Sequence, residues 1–158
     1  MTLFFLLDVI EHVRADRDLV KGIITKHLNP GGYLIITVPA VDWLFTQHDT
    51  YLGHYRRYSP QSLRACLNCL GALETSQGFL FVSLLPVRFC EWGLEKIVGI
   101  KAGRRGIGHW KGKGWLTRFI ISFFNREHHL LFGLNRLGLR IPGLSIWMVL
   151  RKETGHGG

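Results

Sequence analysis

Asp8, Glu11 and His12 have types and spacing that suit chemistry. At i, i+3 and i+4, a helical turn would put two carboxylates and an imidazole on one side. Such a set can hold a divalent metal through its oxygens and nitrogens, or pass protons as an acid–base cluster. The same residues also suit a structural role, with Asp8 capping the following turn and Glu11 and His12 in ordinary hydrogen bonds. Downstream, His48-Asp49 and His54 could complete a site, and each is equally at home in a solvated loop. Tyr55-Arg56-Arg57-Tyr58 interleaves cations and aromatics as phosphate and nucleic-acid sites do, although a loop anchored by its tyrosines has the same composition. Cys66 and Cys69 have the CxxC spacing without a second pair, so buried thiols on a helix face are expected rather than a zinc or redox centre.

The elements that must position these residues follow from apolar patterning. Leu3 to Leu7 is a continuous apolar run, which predicts a strand buried on both faces, with Asp8 at its end. Ala15 to Leu28 predicts a helix, and Asn29-Pro30-Gly31-Gly32 stops it. Tyr33 to Val38 predicts a second strand, so the first forty residues or so form a βαβ unit. In an open α/β sheet, ligands bind beyond the carboxyl ends of the parallel strands. Asp8 to His12 and the long loop Val41 to Tyr58 therefore face one crevice. Ser59-Pro60 opens a short helix to about Leu70. A strand from Ala72 to Leu85 is expected to lead into a helix from Pro86 to Val98. Lys101 to Lys113 is rich in Gly and cations and predicts an exposed, flexible excursion. Leu116 to Leu137 predicts a long helix interrupted at Asn125 to His129, and Pro142 to Leu150 a final strand.

Composition sets the frame. The chain has 158 residues, 47% apolar and 20% charged, which suits one globular domain over 1–158 and excludes a disordered chain. Its formal charge of +9 attracts anions: nucleic acid, anionic lipid or acidic small molecules. Three cysteines, at 66, 69 and 90, argue against a disulfide scaffold. The apolar start ends at Asp8 and lacks a basic leader, and the run Phe79 to Pro86 is far too short to span a bilayer, so a cytoplasmic protein is expected, with peripheral membrane contact as an option.

Two blocks resemble a known family. Leu6-Leu7-Asp8-Val9-Ile10-Glu11-His12-Val13 and Leu28-Asn29-Pro30-Gly31-Gly32-Tyr33-Leu34-Ile35-Ile36-Thr37-Val38-Pro39 are similar to the fourth and fifth strand motifs of class I S-adenosylmethionine-dependent methyltransferases. His48-Asp49, Gly53 to Ser59 and on to Leu63 looks like the stretch before their fifth helix, and Leu134-Asn135, Pro142 to Ser145 and Val149 to Lys152 like their final strand pair. The match covers nearly the whole chain except the basic excursion. It implies a partial doubly wound, Rossmann-like sheet with added C-terminal helices, a transferase activity, and S-adenosyl-L-methionine as cofactor. The family's Gly-rich loop and ribose-binding acid lie upstream of the strand that here begins at Leu3. Gly103, Gly106 and Gly108 do not replace that loop, because no apolar strand precedes them. The expectation is a C-terminal half: a truncated product, a remnant, or a chain that a separate polypeptide completes.

By resemblance, Asp8 and Val9 adjoin the cofactor, and Asp8, His12 and His54 are the catalytic candidates. His48, Tyr55 and Arg56 fall in the acceptor pocket. Small-RNA 2′-O-methyltransferases and ubiquinone-pathway O-methyltransferases hold magnesium through an acidic-x-x-Glu-His motif, which here gives Asp8, Glu11 and His12, with His54 as the downstream ligand. Two other functions fit the composition: a non-catalytic basic module for RNA or an anionic membrane surface, and a metal-dependent hydrolase built on Asp8, Glu11 and His12. The interior strands also predict self-association through an unpaired sheet edge.

Overall fold

Two apolar runs form the neighbouring parallel strands that their composition requires. In the computed structural model, which describes residues 1–68, 70–98 and 114–154, β1 (Leu3–Leu7) pairs in parallel with β2 (Tyr33–Pro39), Leu3 opposite Tyr33 and Leu7 opposite Thr37. The crossover is α1 (Asp16–Lys26), with Asp16 and Asp18 in its first turn and Lys26 in its last, the charge order that suits a helix dipole. Two further strands, β3 (Ala72–Leu80) and β4 (Ser145–Lys152), give the order β1-β2-β4-β3, with β4 antiparallel to both of its neighbours.

One face of this sheet carries the core. Leu34, Ile36 and Val38 of β2 and Ile146, Met148 and Leu150 of β4 pack with Val20 and Ile24 of α1 and with Leu63 and Leu67 of α3 (Pro60–Leu67). Each such side chain stabilises the fold by roughly 1.5–3 kcal/mol. Ser59 caps α3 by accepting from the Ser62 amide, as the Ser-Pro pair predicts. At the other end of α3, the Arg17 guanidinium donates to the carbonyls of Ala65, Cys66 and Asn68 at 3.0, 2.9 and 2.7 Å. These bonds satisfy carbonyls that a helix end leaves free and lock α1 to α3.

The second face is covered only in part. After α4 (Leu85–Gly93) and a π-helical turn (Leu94–Val98), α5 (Gly114–Arg136) lies over β3 and β4. Phe132 stacks on Trp147 at 5.1 Å, and the Asn135 amide donates to the Gln77 carbonyl at 3.0 Å. The chain reaches β4 through Gly143, where any Cβ would collide with the Leu80 carbonyl.

Several elements differ from their expected form. β1 is not buried on both faces: Leu3, Phe5 and Leu7 are 50%, 54% and 55% exposed, because no described element packs on that side of it. The Val41–Tyr58 stretch is not all loop. It holds a 3-10 turn (Asp42–Leu44) and α2 (Gln47–Tyr51), started by the Asp49 carboxylate accepting from the Thr46 amide at 2.9 Å. β3 ends at Leu80, where Phe81 takes φ 58° and turns the chain out of the sheet. α5 runs unbroken through 125–129: Glu127 accepts from Ser83, His128 packs on Phe81, and Asn125, Arg126 and His129 face solvent, so no polar residue there opposes the helix. β4 starts at Ser145, after Pro142 and Gly143. Cys69 and the basic 101–113 stretch lie outside the described residues; Cys66 and Cys90 are free thiols.

Candidate functional site

A pocket of about 340 Å³ opens at the carboxyl ends of the two parallel strands, lined by Asp8, Glu11, His12, Leu52, His54 and Arg57, among others. Larger hollows of about 400 and 530 Å³ lie along β3 and β4, where Glu74 is already paired with Arg64; they bring together no comparable cluster.

The first wall follows β1. Asp8 takes the left-handed φ of 52°, and its amide donates to both the carbonyl and the hydroxyl of Thr37 on β2, each at 3.1 Å. The strand end thus turns sharply into the 3-10 turn Ile10–His12, anchored by fully buried Ile10. The turn sends Glu11 inward. Its side chain is fully buried, and neither carboxylate oxygen has a hydrogen-bond partner. Burial pushes the Glu11 pKa from 4.5 up to about 7 against the opposing pull of its own backbone amide, which lies too poorly aligned to satisfy the carboxylate, and the Asp8 charge adds to the rise.

The opposite wall is the loop after β2. Gly53, at φ 79°, reverses the chain so that the His54 amide bonds to the Asp49 carbonyl. The Tyr55 amide then donates to the Glu11 carbonyl at 2.8 Å and clasps the two walls together. The His54 ring meets His12 edge to face, centroids 4.6 Å apart, and His12 Nε2 lies 4.0 Å from Glu11 Oε1. One ligand-capable atom from each of Glu11, His12 and His54 falls within 4.8 Å of the others.

Behind His54 sits Asp49, fully buried. His54 Nδ1 is 3.1 Å from Asp49 Oδ1, Arg57 Nε donates to the same oxygen at 2.9 Å, and Arg88 Nη2 donates to Oδ2 at 2.9 Å. Burial alone would raise the Asp49 pKa, but the Arg57 bond and charge, the Thr46 amide and Arg88 outweigh it and hold the carboxyl down to about 2. Desolvation lowers the His54 pKa and outweighs the opposing pull of Asp49. At neutral pH the ring is therefore neutral, with Nδ1–H given to Asp49 and Nε2 left as a proton acceptor or ligand.

Not every sequence candidate comes to this pocket. Glu11, His12 and His54 converge there, and Asp8 lines its mouth, bonded to Thr37 rather than capping the turn. Val9 is 37% exposed and stands outside the lining. His48 sits on α2 and also lies outside it. Tyr55 lies under the Arg14 guanidinium, 5.1 Å from ring centroid, and Arg56 pairs with Asp16 at 2.9 Å. Tyr58 hydroxyl joins the same Asp16 carboxylate at 2.7 Å. Arg56 and Tyr58, two residues apart, thus face one way and Arg57 the other, the alternation of an extended segment. The sequence offers Asp49, beside His48, as a residue that could complete the site, and Arg57 within the Tyr55-Arg56-Arg57-Tyr58 run. Thr46 and Arg88 carry no such signal, Arg88 because it arrives from another element.

No protein-family model matches the chain, and no curated protein matches it by sequence. Among solved structures, it is similar to a chain in the complex between the Haloferax volcanii Trm112 methyltransferase activator and a methyltransferase, at TM-score 0.51 and 12% identity, over 100% of this chain and 56% of that one. It is also similar to a SAM-dependent methyltransferase from Archaeoglobus fulgidus, at TM-score 0.49 and 13% identity, over 96% of this chain and 59% of that one. The chain thus spans less than two thirds of the length of either structure. Its fold is the mixed α/β fold of methyltransferase structures, with an open four-stranded sheet.

Proposed function

We propose that this chain is the acceptor-side half of an S-adenosylmethionine-dependent methyltransferase, and that the Glu11–His12–His54 pocket receives the methyl acceptor. The observation that carries this is the position of the pocket: a buried carboxylate without a hydrogen bond to another residue and two imidazoles, at the carboxyl ends of the parallel strands of a methyltransferase-like sheet. S-adenosylmethionine would supply a methyl group already activated on a cationic sulfur, so the protein's own task is orientation and proton acceptance.

Each pocket residue has a part in that task. His54 Nε2 accepts the proton that an attacking hydroxyl or amine must lose, because Asp49 fixes the other ring nitrogen as the donor. Glu11, with a pKa near 7, hydrogen-bonds the acceptor in either protonation state. Leu52, Leu144 and Pro39 make the apolar wall that excludes water. Asp8, which lines the same pocket, would face the cofactor. The sequence holds no Gly-rich turn between an apolar strand and a helix, so the remaining cofactor contacts would come from polypeptide that joins the open edge of β1.

A second role is favoured by the orphaned Glu11 oxygens. One carboxylate and two imidazoles fit a divalent ion, and that donor set suits zinc, iron or manganese better than magnesium, which prefers oxygen ligands and water. Such an ion would take Glu11, His12 and His54 Nε2 as ligands.

The test is S-adenosylmethionine and S-adenosylhomocysteine binding to the purified chain, read by calorimetry and by NMR shifts. Weak binding is expected, seen only at about millimolar ligand, since each missing bond to a charged group removes roughly 1.5–3 kcal/mol. Low-micromolar affinity would overturn the half-site assignment. No shift at Asp8 or His54 at any concentration would overturn the methyltransferase assignment itself.

A further inference from the structure

α5 carries apolar side chains on two opposite sides. Toward the body it turns Phe124, His128, Leu131 and Asn135: the first two meet Phe81 edge-on at 5.4 and 5.2 Å, and Leu131 is buried. At 3.6 residues per turn, Trp115, Phe119, Phe123 and Leu130 fall on the opposite side. They are 67%, 62%, 46% and 63% exposed. A helix that only closed a core would point such residues inward.

The charge on this helix has one sign outside. Arg118, Arg126 and Arg136 are exposed beside the apolar stripe. Its single acid, Glu127, faces inward and accepts from the Ser83 hydroxyl at 2.6 Å and the Ser83 amide at 3.1 Å. The outward surface is therefore apolar and cationic with no carboxylate, on a chain of formal charge +9. That pairing of an apolar stripe with arginine flanks is what an anionic lipid interface recognises, and a tryptophan at one end suits the headgroup depth. RNA would use the arginines but leave the stripe in water, and a second copy of this cationic chain would meet like charge. No helix among the described residues is long and apolar enough to cross a membrane, so a contact with lipid through α5 would lie along the interface and not span it.

We propose that the outer face of α5 docks this protein on an anionic bilayer, with Trp115, Phe119, Phe123 and Leu130 in the interface and Arg118 and Arg126 on the lipid phosphates. The test sediments the whole chain with phosphatidylcholine vesicles and with vesicles containing phosphatidylglycerol, at low salt. Anionic vesicles should carry the protein down and neutral ones should not. Two doubly substituted chains read the two contributions: Phe119→Ser with Phe123→Ser, and Arg118→Glu with Arg126→Glu. Each should lower binding at least about tenfold while circular dichroism stays unchanged, since all four side chains point to solvent. Equal binding to both vesicle types, or undiminished binding by both variants, would overturn the proposal. So would release from vesicles by single-stranded RNA at equal phosphate, or light scattering showing that the phenylalanine substitutions chiefly dissolve a self-associated form.

Discussion

His54 Nδ1 stands 3.1 Å from Asp49 Oδ1, and the same buried carboxylate is held by Arg57 and Arg88. The imidazole thus hangs from an anchor that two segments of the chain share, its own loop through Asp49 and Arg57 and α4 through Arg88. Its orientation belongs to both segments rather than to the loop alone.

Removing the anchor should be costly. Asp49→Asn leaves two buried guanidinium groups facing a neutral amide, and we expect a loss of about 3–5 kcal/mol. Arg56→Ala, which breaks the part-exposed pair with Asp16, should lose about 1 kcal/mol or less. Urea unfolding of both variants checks this; equal losses would contradict it. Because the folded pKa of Asp49 is depressed from 3.8 to about 2, its contribution is present above pH 3.8 and lost as pH falls through about 2.

Glu11 acts in the opposite direction. Its folded pKa is raised from 4.5 to about 7, so the neutral acid is favoured in the folded chain. Stability linked to this group is fully present below pH 4.5 and is lost as pH rises through about 7. The wild-type chain should lose on the order of 3 kcal/mol from this source between pH 4.5 and 8, and Glu11→Gln should lose none. Urea midpoints at pH 5 and pH 8 measure the difference, and parallel pH profiles for the two proteins would rule it out.

Metal in the pocket has its own signature. Zinc or manganese should raise the thermal midpoint of the wild-type chain, magnesium should raise it less, and a chelator should reverse the shift. His12→Ala should abolish the shift without unfolding the chain, because His12 is 40% exposed. No shift with zinc or manganese would exclude the metal.

Strand β1 offers an edge with no partner among the described residues, and half-exposed Leu3, Phe5 and Leu7 sit beside it. Such an edge invites pairing with another chain. We expect the purified chain to associate at high concentration and Phe5→Lys to make it monomeric, both read by light scattering. A monomeric wild-type chain at high concentration would contradict this.

The sheet was legible in the sequence because Leu3 to Leu7 and Tyr33 to Val38 are apolar runs around a helix and an Asn-Pro-Gly-Gly turn, local signals that tertiary contacts did not override. The convergence of Glu11 and His12 with His54 was legible for the same reason: both segments leave the carboxyl ends of neighbouring parallel strands. What was hidden was the use of each arginine. Arg56 and Arg57 are adjacent and identical in type, yet one reaches Asp16 near the surface and the other Asp49 in the interior. Only the pleat of the segment and the arrival of Arg88 from α4 decide that, and neither is written locally. β1 misled for a related reason: an apolar run reports what a strand can bury, not whether anything lies against it.

The shared Asp49 carboxylate limits how this protein can be re-engineered. Residues 46–58 look like an exchangeable loop, and a designer reshaping the pocket would swap them between scaffolds. A transplant that took Asp49 and Arg57 but not Arg88 would bury an anion short of one cation and turn a neutral replacement into a folding defect. The transferable module is the loop together with the first turn of α4, and recombination that cuts between them should yield few soluble chimeras.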